Sequence, residues 1–197
     1  MQSLYYFIVK PLEERYDNTR RVAGTDLIIN SGIEDHRFIS KKAVVVQTPA
    51  AYTTKINIGD ELYIHHNIFR RWYDQKGKER NSSTHFKDDL YFVSPEQIYM
   101  YNLKTHLDYC FIKPLKNQSV LENRKEQPNV GIVKYSNKSL EALKITPGTL
   151  ITFTPNSEFE FIIEGERLYC MKSNDIALTH EYQGNEEENN PSWAKGS

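Results

Sequence analysis

The sequence predicts an all-β chain built from two tandem copies of one small, irregular β-barrel. Three observations predict it. Short β-branched and aromatic runs recur between turn residues, helical periodicity is almost missing, and four motif blocks return in the same order in the second half. Tyrosine is the compositional outlier, with 13 residues, many beside Ile, Val or Phe. Such neighbours suit the half-buried surface of a strand.

The repeat fixes the domain organisation. FIVKPL (Phe7–Leu12) and CFIKPL (Cys110–Leu115) set Lys10 against Lys113, 103 residues on. KINIGDELYIHHN (Lys55–Asn67) matches KITPGTLITFTPN (Lys144–Asn156) at a spacing of 89, and in that register KAVVVQT (Lys42–Thr48) meets GIVKYSN (Gly131–Asn137). DDLYFVSPEQIYMY (Asp88–Tyr101) matches ERLYCMKSNDIALT (Glu166–Thr179) at a spacing of 78. Four collinear blocks that lose length in only two gaps predict a tandem duplication. The copies span 1–103 and 104–182, with an acidic tail at 183–197, and a chain of 197 residues is long enough to give each its own core.

Each copy reads through the same elements. An opening strand ends at Pro11 or Pro114, which cannot donate a ladder hydrogen bond and so belongs at a strand end or edge. A polar stretch leads to a short apolar run, AVVV or GIV. The turn I-x-x-G follows, with Gly59 or Gly148 supplying positive φ. LYIHH or LITFT is the next strand. LYFVS and IYMY close the first copy, LYCMK and IALT the second. The first copy also carries an insertion at 70–86, RRWYDQKGKERNSSTHF, which reads as a solvated hairpin; Arg70, Arg71 and Trp72 make it a candidate interface, because Arg and Trp are enriched at binding hot spots. SLEALK (Ser139–Lys144) has room for one helical turn. The tail GNEEENNPSWAKGS is acidic and short of apolar residues, so it is expected to be disordered unless an outside surface holds Trp193, its natural anchor.

Bulk chemistry narrows the function. Lys+Arg (25) and Asp+Glu (26) nearly cancel, so no general field draws the chain to nucleic acid or an anionic membrane. No apolar run is long enough for a membrane helix, and the N-terminus lacks the pattern of a signal peptide, which points to the cytoplasm. Cys110 and Cys170 sit in strand-like runs and have no metal-type spacing. His65-His66, read as strand neighbours, face opposite sides and cannot share an ion; no metal or other cofactor is expected. Phosphate-loop, nucleophile-elbow and zinc-helix motifs are missing, and no catalytic residue is assigned, so the chain does not read as an enzyme.

The order VKPL, polar loop, AG-x-x-LII, AVVV, I-x-x-GD, LY-x-x-P-E-Q-I resembles the GroES-type co-chaperonins, and the second copy's SNDIAL (Ser173–Leu178) is similar to that family's ending. With its insertion, the chain looks like tandem-domain versions associated with tailed bacteriophages of marine bacteria. The resemblance implies two GroES-like irregular barrels, a homo-oligomeric ring, and a GroEL-type, ATP-dependent chaperonin as partner. It implies that a flexible loop, here 17–37, docks an aliphatic tripeptide, Leu27-Ile28-Ile29 led by Gly24, into an apolar groove. Read without the resemblance, DLIIN is an ordinary buried strand. Burying three aliphatic side chains gives about 5–9 kcal/mol gross, and ordering ten loop residues costs about 10, so several loops acting from one ring are required. The second copy's counterpart, KNQSVLENRKEQPNVG (Lys116–Gly131), has no such triplet and is expected not to dock. The alternative is a virion structural protein on the same duplicated fold; a phage protein would otherwise act in the host cytoplasm.

Overall fold

Alternating β-branched and aromatic residues make the strand the prevailing element among the described residues. The computed structural model describes residues 2–16, 19–22, 25–28, 38–117, 125–181, 184 and 186–196, with 19–22, 25–28 and 195–196 given by their backbone alone. Two compact units divide at Leu103/Lys104.

The first unit contains β1 (Phe7–Pro11), β2 (Thr19–Val22), β3 (Thr25–Ile28), β4 (Lys42–Gln47), β5 (Glu61–Ile64), β6 (Arg71–Tyr73), β7 (Glu79–Asn81), β8 (His85–Lys87), β9 (Leu90–Val93) and β10 (Ile98–Tyr101). Its main sheet has the order β10–β5–β4–β1–β9–β8; the two-residue β11 (Lys104–Thr105) opens the second unit. The hairpins β2–β3 and β6–β7 are two-stranded sheets of their own. Phe7 and Val9 of β1 point into a core with Val45, Leu62, Ile64, Tyr91 and Val93. Each such side chain contributes about 1.5–3 kcal/mol on burial.

The second unit contains β12 (Tyr109–Lys116), β13 (Glu126–Tyr135), the short α1 (Lys138–Ala142), β14 (Leu150–Phe153), β15 (Phe159–Ile163), β16 (Glu166–Lys172) and β17 (Ile176–His180). Its sheet order, β17–β14–β13–β12–β16–β15, is that of the first sheet with each strand replaced by its counterpart. Cys110, Ile112, Val133, Ile151, Phe153 and Met171 form its core. Asn137 caps α1 by accepting the Leu140 amide at 3.0 Å, the one helical turn expected at SLEALK. Among the described residues no helix is long and apolar enough to cross a membrane.

The pairing repeats residue by residue. Ile8↔Gln47 and Val9↔Val45 flank a bulge whose extra residue, Val46, lies in β4; Phe111↔Tyr135 and Ile112↔Val133 flank one whose extra residue, Lys134, lies at the equivalent step of β13. Ala43↔Leu62 answers Gly131↔Ile151. Phe7↔Val93 answers Cys110↔Met171, and Ile98↔Ile64 answers Ile176↔Phe153, again beside a matching bulge. The two I-x-x-G turns agree as well: Gly59 (φ 90°) donates its amide to Val45 at 2.9 Å, and Gly148 (φ 94°) donates to Val133 at 2.8 Å.

Three expectations are corrected. The sequence register sets Ala43 against Ile132, whereas the ladders make Gly131 its counterpart, a slip of one residue. At Gly131 a Cβ would lie 2.5 Å from Ile112 Cγ2 and 2.6 Å from the Lys113 oxygen, so only glycine fits there. Among the described residues neither sheet closes on itself into a barrel; each is an open, bulged sheet with two edges. His65 and His66 are not strand neighbours: β5 ends at Ile64, the chain turns, and the imidazoles stack with centroids 4.4 Å apart. The His65 Nδ1 accepts the Asn67 amide at 3.1 Å, which caps that turn.

The tail also departs from its expectation. Its described residues pack on their own unit rather than awaiting an outside surface. The Lys116 amide donates to Glu187 at 2.7 Å and the Asn189 amide to Pro114 at 2.8 Å, so the tail continues the ladder along β12 beyond the reach of β16. Glu188 pairs with Lys113 at 2.9 Å. Ala194, not Trp193, is the buried contact; Trp193 stays 53% exposed.

Candidate functional site

The first unit carries every candidate docking residue except Trp193. Among the tripeptide positions, Leu27 and Ile28 lie on β3, opposite Arg20 and Thr19 of β2. Gly24 and Ile29 lie outside the described residues. β3 therefore pairs with β2 in a sheet of its own and not with a strand of the main sheet.

The root of this segment is fixed. Tyr16 bridges to Ile39, and the Ser40 amide donates to the Arg15 carbonyl at 3.1 Å. Tyr16 and Ile39 are both buried, at 6% and 3% exposure. Tyr16 and Ile39, on either side of this segment, thus lie paired and buried in the core.

The insertion meets this root. It leaves β5 through a 3-10 turn at His66–Ile68, whose Ile68 and following Phe69 are fully buried, Phe69 packing edge-on against Tyr91 at 4.9 Å. The Ile68 carbonyl accepts from the hydroxyls of Ser82 (2.6 Å) and Thr84 (3.0 Å), and the Ser82 amide donates to Arg70 at 3.0 Å, so the hairpin's ends are tied together. β6 and β7 then run out to a turn organised by Asp74, which accepts the amides of Lys76 (3.0 Å) and Lys78 (2.9 Å) and the Arg80 guanidinium (3.0 Å). These bonds hold the Asp74 carboxyl below the usual carboxylate range, the Lys78 amide contributing most.

Arg15 and Tyr16 join hairpin to root. The Arg15 guanidinium donates to the carbonyls of Phe69 (2.5 Å) and Arg70 (3.1 Å) and to Asn81 Oδ1 (2.7 Å), and lies 5.2 Å from the Tyr91 ring centroid. The Tyr16 hydroxyl accepts the Arg71 amide at 2.7 Å, and the Arg71 guanidinium stacks over the Tyr16 ring at 4.5 Å. Arg71 also pairs with Glu79 across the hairpin at 3.1 Å. Burial lowers the Arg15 pKa from its ordinary value.

Of the expected interface residues, Arg71 is thus occupied in holding the hairpin, Arg70 contributes its carbonyl, and Trp72 is 42% exposed beside Tyr73 at 52%. Arg15 and Tyr16 are the residues that the sequence concealed: in LEERYD they read as a charged linker, and an aromatic ring in that run was the one signal. Among the described residues no group of three His, Cys, Asp or Glu is placed to hold a metal. The described residues bring together a fixed root and an anchored hairpin. No protein-family model and no curated protein matches the chain.

Proposed function

We propose that the protein is a co-chaperonin: a homo-oligomeric, ring-shaped lid of tandem GroES-like domains that docks on an ATP-dependent, GroEL-type chaperonin through Leu27-Ile28-Ile29 and assists protein folding. The chemistry belongs to the partner; nucleotide hydrolysis happens there. The reading places the protein in the cytoplasm, the host's in the case of a phage, with no part for nucleic acid or membrane.

One observation carries it. β3 pairs with β2 in a ribbon outside the main sheet, on a segment that leaves a buried root at Tyr16 and Ile39. A ribbon that pairs outside its own core sheet is suited to offering a strand to a partner. Pairing also reduces the ordering cost that makes a single loop marginal, since part of the backbone entropy is lost before binding. A two-stranded ribbon alone is only marginally stable in water, so several ribbons from one ring remain a requirement of the mechanism.

The alternative reading, a virion structural protein, draws on the single triplet, on the second copy's loop without one, and on a tail held in order. The described tail residues bond to β12 of their own unit, so the tail calls for no outside holder; the single triplet and the second loop still favour that alternative. The test is capture of the full chain on a chaperonin column with ATP. Wild type is retained and Ile28→Asp is lost, because a carboxylate buried in an apolar groove costs more than the loop gains; equal retention of the two removes the reading.

A further inference from the structure

We propose that the insertion hairpin is a brace for the loop root, and that Arg15 and Tyr16 are the positioning residues that couple the two. The proposal concerns the free protein. It rests on the co-chaperonin reading only for its consequence in docking.

The geometry points both ways along the chain. Arg15 offers its carbonyl to Ser40, closing the root, and its guanidinium to Phe69, Arg70 and Asn81, holding both ends of the hairpin. Tyr16 pairs with Ile39 through its backbone while its hydroxyl takes the Arg71 amide. Two consecutive residues therefore face the root with one set of atoms and the hairpin with another. A guanidinium bound to three acceptors in fixed directions transmits displacement in a way that an ammonium cannot. Moving the hairpin requires breaking bonds that define where the loop begins.

The duplication supplies an internal control. At the spacing of 103 that relates β1 to β12, Arg15 and Tyr16 correspond to Gln118 and Ser119. The second copy also lacks the β6–β7 hairpin: β14 ends at Phe153 and β15 begins at Phe159. The brace residues and the hairpin occur together in the copy with the aliphatic triplet, and the copy without the triplet has neither.

Hydrogen exchange on the free, full-length protein tests this. Tyr16→Phe deletes one acceptor and keeps the ring; Arg15→Ala deletes the fork; Arg15→Lys keeps the charge. For Tyr16→Phe and Arg15→Ala, exchange rises about five- to ten-fold, the loss of one net hydrogen bond or slightly more, in the peptides covering 71–82 and 38–41 together. β5 and β9 stay unchanged. Arg15→Lys fails to restore protection, because the requirement is a fork rather than a charge. Replacing 72–80 with a short turn, which the Arg70–Ser82 bond at 3.0 Å allows, also raises exchange at 38–41. Release of the hairpin with 38–41 unchanged, or wild-type behaviour of Arg15→Lys, overturns the brace. Chaperonin capture separates this from the functional reading. If wild type is captured, Arg15→Ala lowers retention several-fold; if wild type is not captured, the co-chaperonin reading fails and the brace is judged on exchange alone.

Discussion

The backbone amide of Asn189 donates to the carbonyl of Pro114 at 2.8 Å, and this bond makes the acidic tail part of the second unit's sheet. Beside it, Asn189 Nδ2 donates to Glu126 at 2.6 Å, and the same Glu126 carboxylate accepts from the Tyr169 hydroxyl at 2.6 Å and pairs with the Arg167 guanidinium. Arg167 reaches Glu160 at 2.6 Å and stacks over Tyr169 at 4.9 Å. Burial is the largest influence on the Tyr169 hydroxyl and raises its pKa. The tail thus closes a polar network that would otherwise open to water along β12.

Deleting residues 186–197 is therefore expected to destabilise the second unit by about 2–4 kcal/mol: two backbone hydrogen bonds at roughly 1 kcal/mol each, with the apolar area around Leu115 and Ala194 making up the rest. Urea unfolding should show the loss as a lower midpoint for one transition. A midpoint equal to that of the full chain means that the tail adds nothing to the fold.

The ladder makes Gly131 and Ala43 counterparts with opposite tolerances. A methyl at Gly131 would press on the Lys113 backbone oxygen, which cannot move aside as a flexible side chain would. Ala43, fully buried, already carries that methyl in the first copy. Gly131→Ala is expected to cost about 1–3 kcal/mol by overpacking, and Ala43→Gly about 0.5–1 kcal/mol through backbone entropy and lost contact. Chemical unfolding of the two variants measures the difference; a neutral Gly131→Ala shows that the strands part to admit the methyl.

How far the sequence foretold this structure depended on whether local pattern or tertiary partners decide each position. Strands came through because alternation is local: FIVKP, LYFV and LITF form strands where their β-branched and aromatic residues place them. The register of β13 did not, because Gly131-Ile132-Val133 offers apolar residues in either phase and only the contact with Ile112 selects one. The tail was concealed because its hold comes from backbone groups and from Glu126 and Lys113, far away in sequence. Arg15 was concealed likewise: its partners Phe69, Arg70 and Asn81 are brought to it by the fold. In the candidate site the sequence offered the apolar triplet; the bonds that fix the neighbouring root, from Arg15 and Tyr16 to residues 69–81, depend on partners that only the fold brings together.

His65 provides the pH dependence. Burial lowers its pKa below the ordinary 6.5, with Lys41 adding in the same direction, and its Nδ1 lone pair is occupied by the Asn67 amide at 3.1 Å. Protonation removes that acceptor and charges a half-buried ring. Since the unfolded chain binds the proton more readily than the folded one, stability rises with pH across this range. The contribution is fully present above about pH 6.5, the unfolded value, and is lost as pH falls through the lower folded value. Asparagine is a good capping residue that does not titrate, so His65→Asn should keep the turn while flattening the acid limb. Urea midpoints of the two proteins, compared from pH 8 down to pH 5, should agree within a constant above neutrality and then converge or cross as wild type loses ground. Curves that stay parallel over the whole range would mean that this imidazole titrates alike in both states and caps nothing.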